Sequence, residues 1–250
     1  MNAHAFWEKL SLLFFPRHCP ICGKLTEGSE AAKLCDDCQL LFHAEAESRC
    51  PTCKKVARNC QCIPAHIGMD FSSVGGRRFL FVSFYRPGVR GLLNNRLLYA
   101  LKDQNDDTAA RILARELSGE ILRRFLKSGE DPKNWIITFP PRTKKQKITK
   151  GFDQAERLAR FIALYTGASF CPLFIRKGGR VQKQLSGTER YWNAQSSLHL
   201  RPGQDLTGAR VILTDDVVTS GATLAVAARL LKEAGAETVV AAAVMRTVEK

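Results

Sequence analysis

The sequence predicts an α/β protein, a mainly parallel sheet flanked by helices, with a small cysteine-rich segment in front of it. Three observations predict this. Strand-like and helix-like patterns alternate from Phe79 onward, the order that builds a parallel sheet with crossover helices. Eight of the nine cysteines lie before position 63. The stretch Val211-Ile-Leu-Thr-Asp-Asp-Val-Val-Thr-Ser-Gly-Ala-Thr223 runs from an apolar strand through two acids into a small hydroxyl-rich loop, and a helical pattern starts at Leu224.

A chain of 250 residues has room for one or two domains. Lysine and arginine outnumber aspartate and glutamate 38 to 24, a net charge of +14. That balance favours phosphate-rich partners such as nucleic acid, nucleotides or an anionic membrane. General solubility is the plainer explanation. The apolar run Leu10 to Phe15 is short and lacks the basic flank of a secretory signal. No run approaches the ~18 apolar residues of a membrane span. The expectation is a cytoplasmic protein, in whose reducing surroundings the cysteines do not form disulfides.

The eight early cysteines form four close pairs: Cys19 and Cys22, Cys35 and Cys38, Cys50 and Cys53, Cys60 and Cys62. Four pairs supply the ligands of two tetrahedral Zn²⁺ sites of four thiolates each. Few large apolar residues lie nearby, so metal binding would supply folding energy. A thioredoxin-like redox motif fits any one pair but not four in succession. Sequential pairing and a crossed arrangement are both open, and Cys60-x-Cys62 is tighter than the usual spacing. His18 and His43 read as solvated bystanders, and Cys171 as a small buried hydrophobe. The change of composition after Gly68 divides a double zinc-ribbon-like module, residues 1–68, from a second domain, residues 69–250.

In that second domain Phe79 to Tyr85 is a strand by its aromatic and β-branched content. Val89, Leu92, Leu93, Leu97 and Leu101 recur at helical spacing, and the helix ends near Lys102. Asp106, Asp107 or Thr108 caps the next helix, which carries Ile112, Leu113, Leu117, Ile121, Leu122 and Phe125 and closes at Gly129. Trp135 to Phe139 is a short buried strand stopped by Pro140-Pro141. Arg142 to Lys150 then holds five positive charges, and Gly151 and Asp153 lead into a helix carrying Ala155, Leu158, Ala159, Ile162 and Tyr165. Strand, basic loop and helix N-terminus make an anion site, with a merely solvated loop as the alternative. Residues 176–193 are basic, with Gly178-Gly179 at their centre, and read either as a lid or as a surface hairpin. Tyr191 and Trp192 suit either base stacking or a core. Arg210 to Leu213, a helix from Leu224 to Leu231, and a strand from Thr238 to Met245 complete the alternation.

Each residue of the 211–223 stretch has a chemical use. Asp215 and Asp216, at the strand end, can accept hydrogen bonds from the vicinal hydroxyls of a ribose. Thr219 and Ser220 offer hydroxyls, Gly221 admits close backbone approach, and the amides of Ser220, Gly221, Ala222 and Thr223 can cradle a phosphate at the helix N-terminus. The glycines and lysine of a Walker A loop and of a dinucleotide fingerprint are missing.

This stretch resembles the phosphoribosyl-pyrophosphate (PRPP) motif of type I phosphoribosyltransferases. The resemblance implies that fold, with Asp215 and Asp216 on the ribose hydroxyls, Thr219 to Thr223 around the 5-phosphate, and Mg²⁺ bridging substrate oxygens. It also implies a pyrophosphate loop at Pro140, Pro141 and Arg142. The whole chain resembles the ComF family: the four cysteine pairs look like its double zinc ribbon, and Leu101-Lys102, Lys150-Gly151-Phe152-Asp153-Gln154-Ala155 and Gln182, Leu185, Arg190 and Asn193 resemble further family stretches. Lys102, Lys150 and Gly151 thereby join the pyrophosphate loop. Lys150 and Asp153 depart from the family's Arg and Asn, Thr138-Phe139-Pro140-Pro141 departs from its Val-Pro-Val-Pro-like loop, and Thr214 stands for an aliphatic residue. Asn193-Ala-Gln-Ser-Ser197 departs from its usual Asn-x-x-x-Phe.

The resemblance implies the handling of incoming single-stranded DNA in natural transformation, with competence-machinery proteins as partners. Two other functions are carried beside it: an active phosphoribosyltransferase of unknown acceptor, and a PRPP-sensing regulator. Purine-salvage members of the superfamily carry an acid where this chain has Thr219, and a threonine cannot serve as base near neutral pH. Catalysis would then rest on holding an oxocarbenium-like ribose and on stabilising departing pyrophosphate with Mg²⁺, Lys102, Arg142 and the basic loops.

Overall fold

The structure is a computed structural model and describes residues 18–26, 32–67, 70–104, 106–144, 147–148, 151–178 and 187–248. Lys150, Gln182 and Leu185, the run Leu10 to Phe15, Gly179 of the basic stretch, and the composition change at residues 68 and 69 lie outside the described residues.

Five parallel strands form the main sheet: β1 (Phe79–Tyr85), β2 (Trp135–Thr138), β3 (Ser169–Phe170), β6 (Arg210–Val218) and β7 (Thr238–Thr247), in the spatial order β1-β7-β6-β2-β3. β4 (Phe174–Arg176) and β5 (Leu198–Leu200) form a separate antiparallel pair. The helices are α1 (Asp36–Ala46), α2 (Leu93–Asp103), α3 (Asp107–Ser128), α4 (Gln154–Thr166), α5 (Gly187–Ser197) and α6 (Ala222–Glu233). From β2 the chain steps outward to β3. From β6 it steps the other way, through α6 to β7. The carboxyl ends of β2 and β6 therefore flank a topological switch point, the place where open α/β sheets bind ligands.

Both faces of the sheet are covered, and successive side chains of one strand enter different cores. Val240, Ala242 and Val244 of β7 pack with α2, α3 and α4, whereas Val239, Ala241 and Ala243 pack with residues of α6 and β5. The cysteine-rich segment contributes to both. Cys19, Leu34, Cys38 and Phe42 join the first core, and Cys50, Ala57, Cys60 and Ile67 join the second.

Local chemistry sets the element ends. Asp106 accepts a hydrogen bond from Ala109 N at 2.8 Å and starts α3. Gly129, at φ +74°, ends it. The helix expected from Val89 starts at Leu93, because Asn95 Nδ2 donates to the carbonyls of Arg86 and Val89 and closes a turn there. The first amides of α2 go to the carboxylate of Glu45 in α1, Leu93 N at 2.6 Å and Asn94 N at 2.8 Å. The strand expected over Arg210 to Leu213, with the acids at its end, continues to Val218, and Asp215, Val217 and Val218 pair with Ala243, Met245 and Arg246 of β7. A backbone ladder is indifferent to side-chain charge, so the acids sit within the strand while the apolar pattern stops before them. Thr214 is buried and donates to Thr138 O at 3.0 Å, which accounts for a hydroxyl where an aliphatic residue was expected.

Candidate functional site and cysteine centres

Asp215 and Asp216 project from consecutive positions of β6, and each is fixed by the next amide. Asp216 N donates to Asp215 Oδ1 at 2.8 Å, and Val217 N donates to Asp216 Oδ1 at 2.6 Å. Lys102, in the last turn of α2, sets its Nζ 3.1 Å from Asp216 Oδ2. Burial and the Asp216 carboxylate push the Asp215 carboxyl up to about 7, against the Asp216 amide and the charges of Lys102 and Arg176. Arg176, at the end of β4, has Nε and Nη2 buried with no hydrogen-bond partner among the described residues. Burial pulls its guanidinium below the usual range, and Asp215 and Asp153 oppose that pull. The basic composition of residues 176–193 marked this region, but only the strand shows that Arg176 turns inward toward the acids.

The loop after β6 follows directly. Gly221, at φ +79°, is the N-cap of α6, and no side chain caps that helix. Its first amides therefore face the loop. Ser220 Oγ is buried without a hydrogen-bond partner among the described residues. Arg190 Nη1 of α5 donates to Thr219 Oγ1 at 3.0 Å, so part of the basic stretch expected to be a lid or a hairpin is a helix that meets this loop. Of the aromatic pair beside it, Tyr191 is half-buried and Trp192 is 60% exposed.

β2 stops at Thr138, one residue before the expected end at Phe139, and Pro140 and Pro141 in the loop that follows are both buried. Asp153 organises this loop: Oδ2 accepts from Arg142 N at 2.9 Å and pairs with Lys147 Nζ at 3.1 Å, while Oδ1 is buried without a hydrogen-bond partner among the described residues. Gly151 turns the chain at φ +76°. Gln154 Nε2 donates to Lys102 O at 2.9 Å, tying this loop to the helix that carries Lys102. Of the residues expected to handle pyrophosphate, Lys102 thus stands at the acid pair on β6, while Pro140, Pro141, Arg142 and Gly151 lie after β2.

The eight cysteines gather in sequential pairs, Cys19, Cys22, Cys35 and Cys38 in one group and Cys50, Cys53, Cys60 and Cys62 in the other. Within each group the sulfurs lie within 4.8 Å of one another. A tetrahedral Zn²⁺ with four thiolates at ~2.3 Å needs sulfurs roughly 3.8 Å apart, so both groups fit the ion. The two turns repeat: Gly23 N donates to Cys19 O, and Lys54 N to Cys50 O, both at 2.9 Å. Burial works against ionisation of Cys50, but amide hydrogen bonds from Cys53 and Thr52 win and bring its thiol down to about 6. Arg246 Nη1 lies 3.5 Å from Cys60 Sγ.

Comparison with known proteins agrees with this architecture. A family model described as a phosphoribosyl transferase domain matches residues 149–250. The chain is 23% identical over 206 residues to competence protein ComFC of Streptococcus pneumoniae, covering 82% of this chain and 84% of that one. It is 28% identical over 165 residues to DNA utilization protein YhgH of Salmonella typhimurium, covering 65% and 69%. Adenine phosphoribosyltransferase of Mycobacterium avium is 46% identical over 85 residues, 33% of this chain and 44% of that protein. The chain thus spans less than half the length of that enzyme. Among solved structures, a hypoxanthine phosphoribosyl transferase of Trypanosoma cruzi is similar with a TM-score of 0.37 at 11% identity, covering 56% of this chain and 66% of that one. No helix among the described residues is long and apolar enough to cross a membrane. The matches to ComFC and YhgH reach well beyond the part that the domain model covers, and with two four-cysteine clusters packed on the same sheet they make the chain ComF-like, built on the type I phosphoribosyltransferase fold.

Proposed function

We propose that this protein binds PRPP or a related ribose phosphate at the switch point between β2 and β6. The observation that carries this reading is the acid pair of β6 beside Lys102, directly followed by a loop that ends in an uncapped helix N-terminus. Asp215 and Asp216 would accept the vicinal hydroxyls of the ribose. The amides from Ser220 to Thr223 would take the 5-phosphate, with the Ser220 hydroxyl free to donate. Arg142 and Lys147, held by Asp153, would face the pyrophosphate. Two carboxylates are fewer oxygens than Mg²⁺ requires, so the ion would be held together with the substrate's own oxygens, where it would neutralise charge on the pyrophosphate. Thr219 accepts from Arg190 and supplies no base, so the reading covers binding, with transfer to an acceptor or PRPP sensing as its two uses. Calorimetry with PRPP and Mg²⁺ tests it: heat of binding in the parent and none in the double variant Asp215→Ala, Asp216→Ala is the expected result. Binding without pyrophosphate release over a panel of acceptors would point to sensing.

A second activity, contact with single-stranded DNA, is favoured by one further observation. A cleft of about 720 Å³ between residues 47–61 and α3 is lined by Arg49, Lys55, Arg58, Arg77, Arg124 and Lys127, with Glu47 as its acid. Its lining carries no aromatic side chain, so it suits a phosphate backbone rather than stacked bases. On this reading residues 1–68 form the metal-bearing module and residues 69–250 the ribose-phosphate domain. Handling of incoming DNA with competence-machinery partners, in the cytoplasm, would use both.

A further inference from the structure

The segment leaving the second cysteine cluster ends against the loop after β6. Cys62 is the last cysteine of that cluster, and Pro64 and Ile67 are buried a few residues on. Ile67 N donates to Pro64 O at 2.9 Å, and His66 N donates to Ser220 O at 2.8 Å. A Cβ on Gly221 would sit 2.5 Å from Ile67 Cγ1 and 3.4 Å from Pro64 Cβ. Gly221 is thus required twice, by its φ of +79° and by the closeness of Ile67. The His66 ring stacks on Tyr191 with centroids 5.7 Å apart, next to the Arg190 that donates to Thr219. At the other end of the segment, Cys60 meets Arg246 at the end of β7.

The contact to Ser220 has a direct consequence for the loop. In a planar trans peptide the carbonyl of Ser220 and the N–H of Gly221 point in opposite directions. Fixing the Ser220 carbonyl on His66 N therefore fixes where the Gly221 N–H points. We propose that residues Cys62 to Ile67 form a positioning arm that sets the amides of the phosphate loop and couples ligand binding there to metal binding at Cys50, Cys53, Cys60 and Cys62. The inference rests on the ribose-phosphate reading of that loop. Metal loss frees the cysteine end of the arm, the arm withdraws from Ser220 and Gly221, and the loop amides lose their common direction. By linkage, a ligand on the loop must hold the metal at this cluster more tightly by the same factor.

The test uses the full zinc-loaded chain and ribose 5-phosphate. Binding is measured first by calorimetry, then release of both zinc equivalents to a chromogenic chelator is followed with and without saturating ribose 5-phosphate. The expected result is that one of the two equivalents is released several-fold more slowly with ligand while the other is unchanged. Ile67→Ala should remove that selective slowing and weaken ribose 5-phosphate by about tenfold, and Ile67→Val should restore both. If ribose 5-phosphate binds but slows neither equivalent, or slows both alike in the parent and in Ile67→Ala, the coupling is wrong and the site reading stands. If ribose 5-phosphate does not bind the zinc-loaded chain, both fall together.

Discussion

Lys102 Nζ lies 3.1 Å from Asp216 Oδ2, so the two adjacent carboxylates of β6 have different partners. Asp216 has the ammonium and its own following amide. Asp215 has an amide and more distant charges, and burial beside Asp216 pushes it up to about 7. Asp215 is therefore poised to exchange a proton as ligand arrives.

The stability consequence has a definite sign. In the unfolded chain Asp215 ionises near its ordinary 3.8, whereas in the fold it holds a proton up to about 7. Its contribution is therefore fully present below pH 4 and is lost as pH rises through 7. Replacement by Asn removes the ionisation that costs stability. Asp215→Asn should melt roughly 5 °C above the parent at pH 8 and together with it near pH 4. Thermal scans across this range check it, and a variant that melts lower at pH 8 would contradict the geometry.

The same proton governs affinity. An ionised Asp215 accepts a ribose hydroxyl more strongly than a protonated one, so affinity for PRPP with Mg²⁺ should rise from pH 6 to pH 8 around a midpoint near 7. Lys102 lowers the Asp215 carboxyl, and Lys102→Met should move that midpoint upward as well as weakening binding. Calorimetry at half-unit pH steps reads the midpoint. A flat profile in the parent would show that Asp215 does not take part.

At the neighbouring loop, Asp153 places a carboxylate where the family pattern has an amide. It holds Arg142 N and Lys147 in place, but its charge faces the loop proposed to take pyrophosphate. Asp153→Asn keeps an oxygen for the Arg142 amide and removes the nearer of the two carboxylates that Lys147 Nζ pairs with, leaving Glu156 Oε2 at 3.6 Å. Pyrophosphate should bind this variant several-fold more tightly, about 1 kcal/mol, with a Tm close to the parent's. Titration with pyrophosphate decides it, and weaker binding would mean that the orienting role of Asp153 outweighs its charge.

Much of this architecture is legible in the sequence. β1 is found at its observed bounds because Phe79 to Tyr85 is aromatic and buried on both faces. The two loops follow from apolar runs that stop before Asp-Asp and before Pro-Pro. What the sequence hides is contact between distant segments. Glu45 reads as one more acid of a charged helix, yet it takes the first two amides of α2 and so supports the helix that carries Lys102. His66 lies in a stretch without periodicity, and its role rests on a backbone amide that any residue but proline would offer. The expectation that the cysteine-rich region lacks a core of its own is sound for its composition, but Leu34 and Phe42 join a core supplied by the sheet.

The basic cleft yields a prediction that depends on salt. Arg58, Arg77 and Arg124 are committed partly within the protein: Arg58 pairs with Glu47 at 2.6 Å, and Arg77 and Arg124 both donate to Arg58 O. Lys55 and Lys127 are exposed and have no ion-pair partner among the described residues. They are the side chains free to meet phosphates without loss of internal structure. Each phosphate contact on a single strand contributes about 0.7 to the slope of log affinity against log salt. The double variant Lys55→Gln, Lys127→Gln should therefore bind single-stranded DNA more weakly and lower that slope by roughly 1.4, while PRPP titration is unchanged because the cleft lies against α3 rather than at the ends of β2 and β6. Filter binding from low to physiological salt measures the slope. An unchanged slope would place the DNA contact on another face, and a parent indifferent to salt would remove the case for a phosphate-backbone contact altogether.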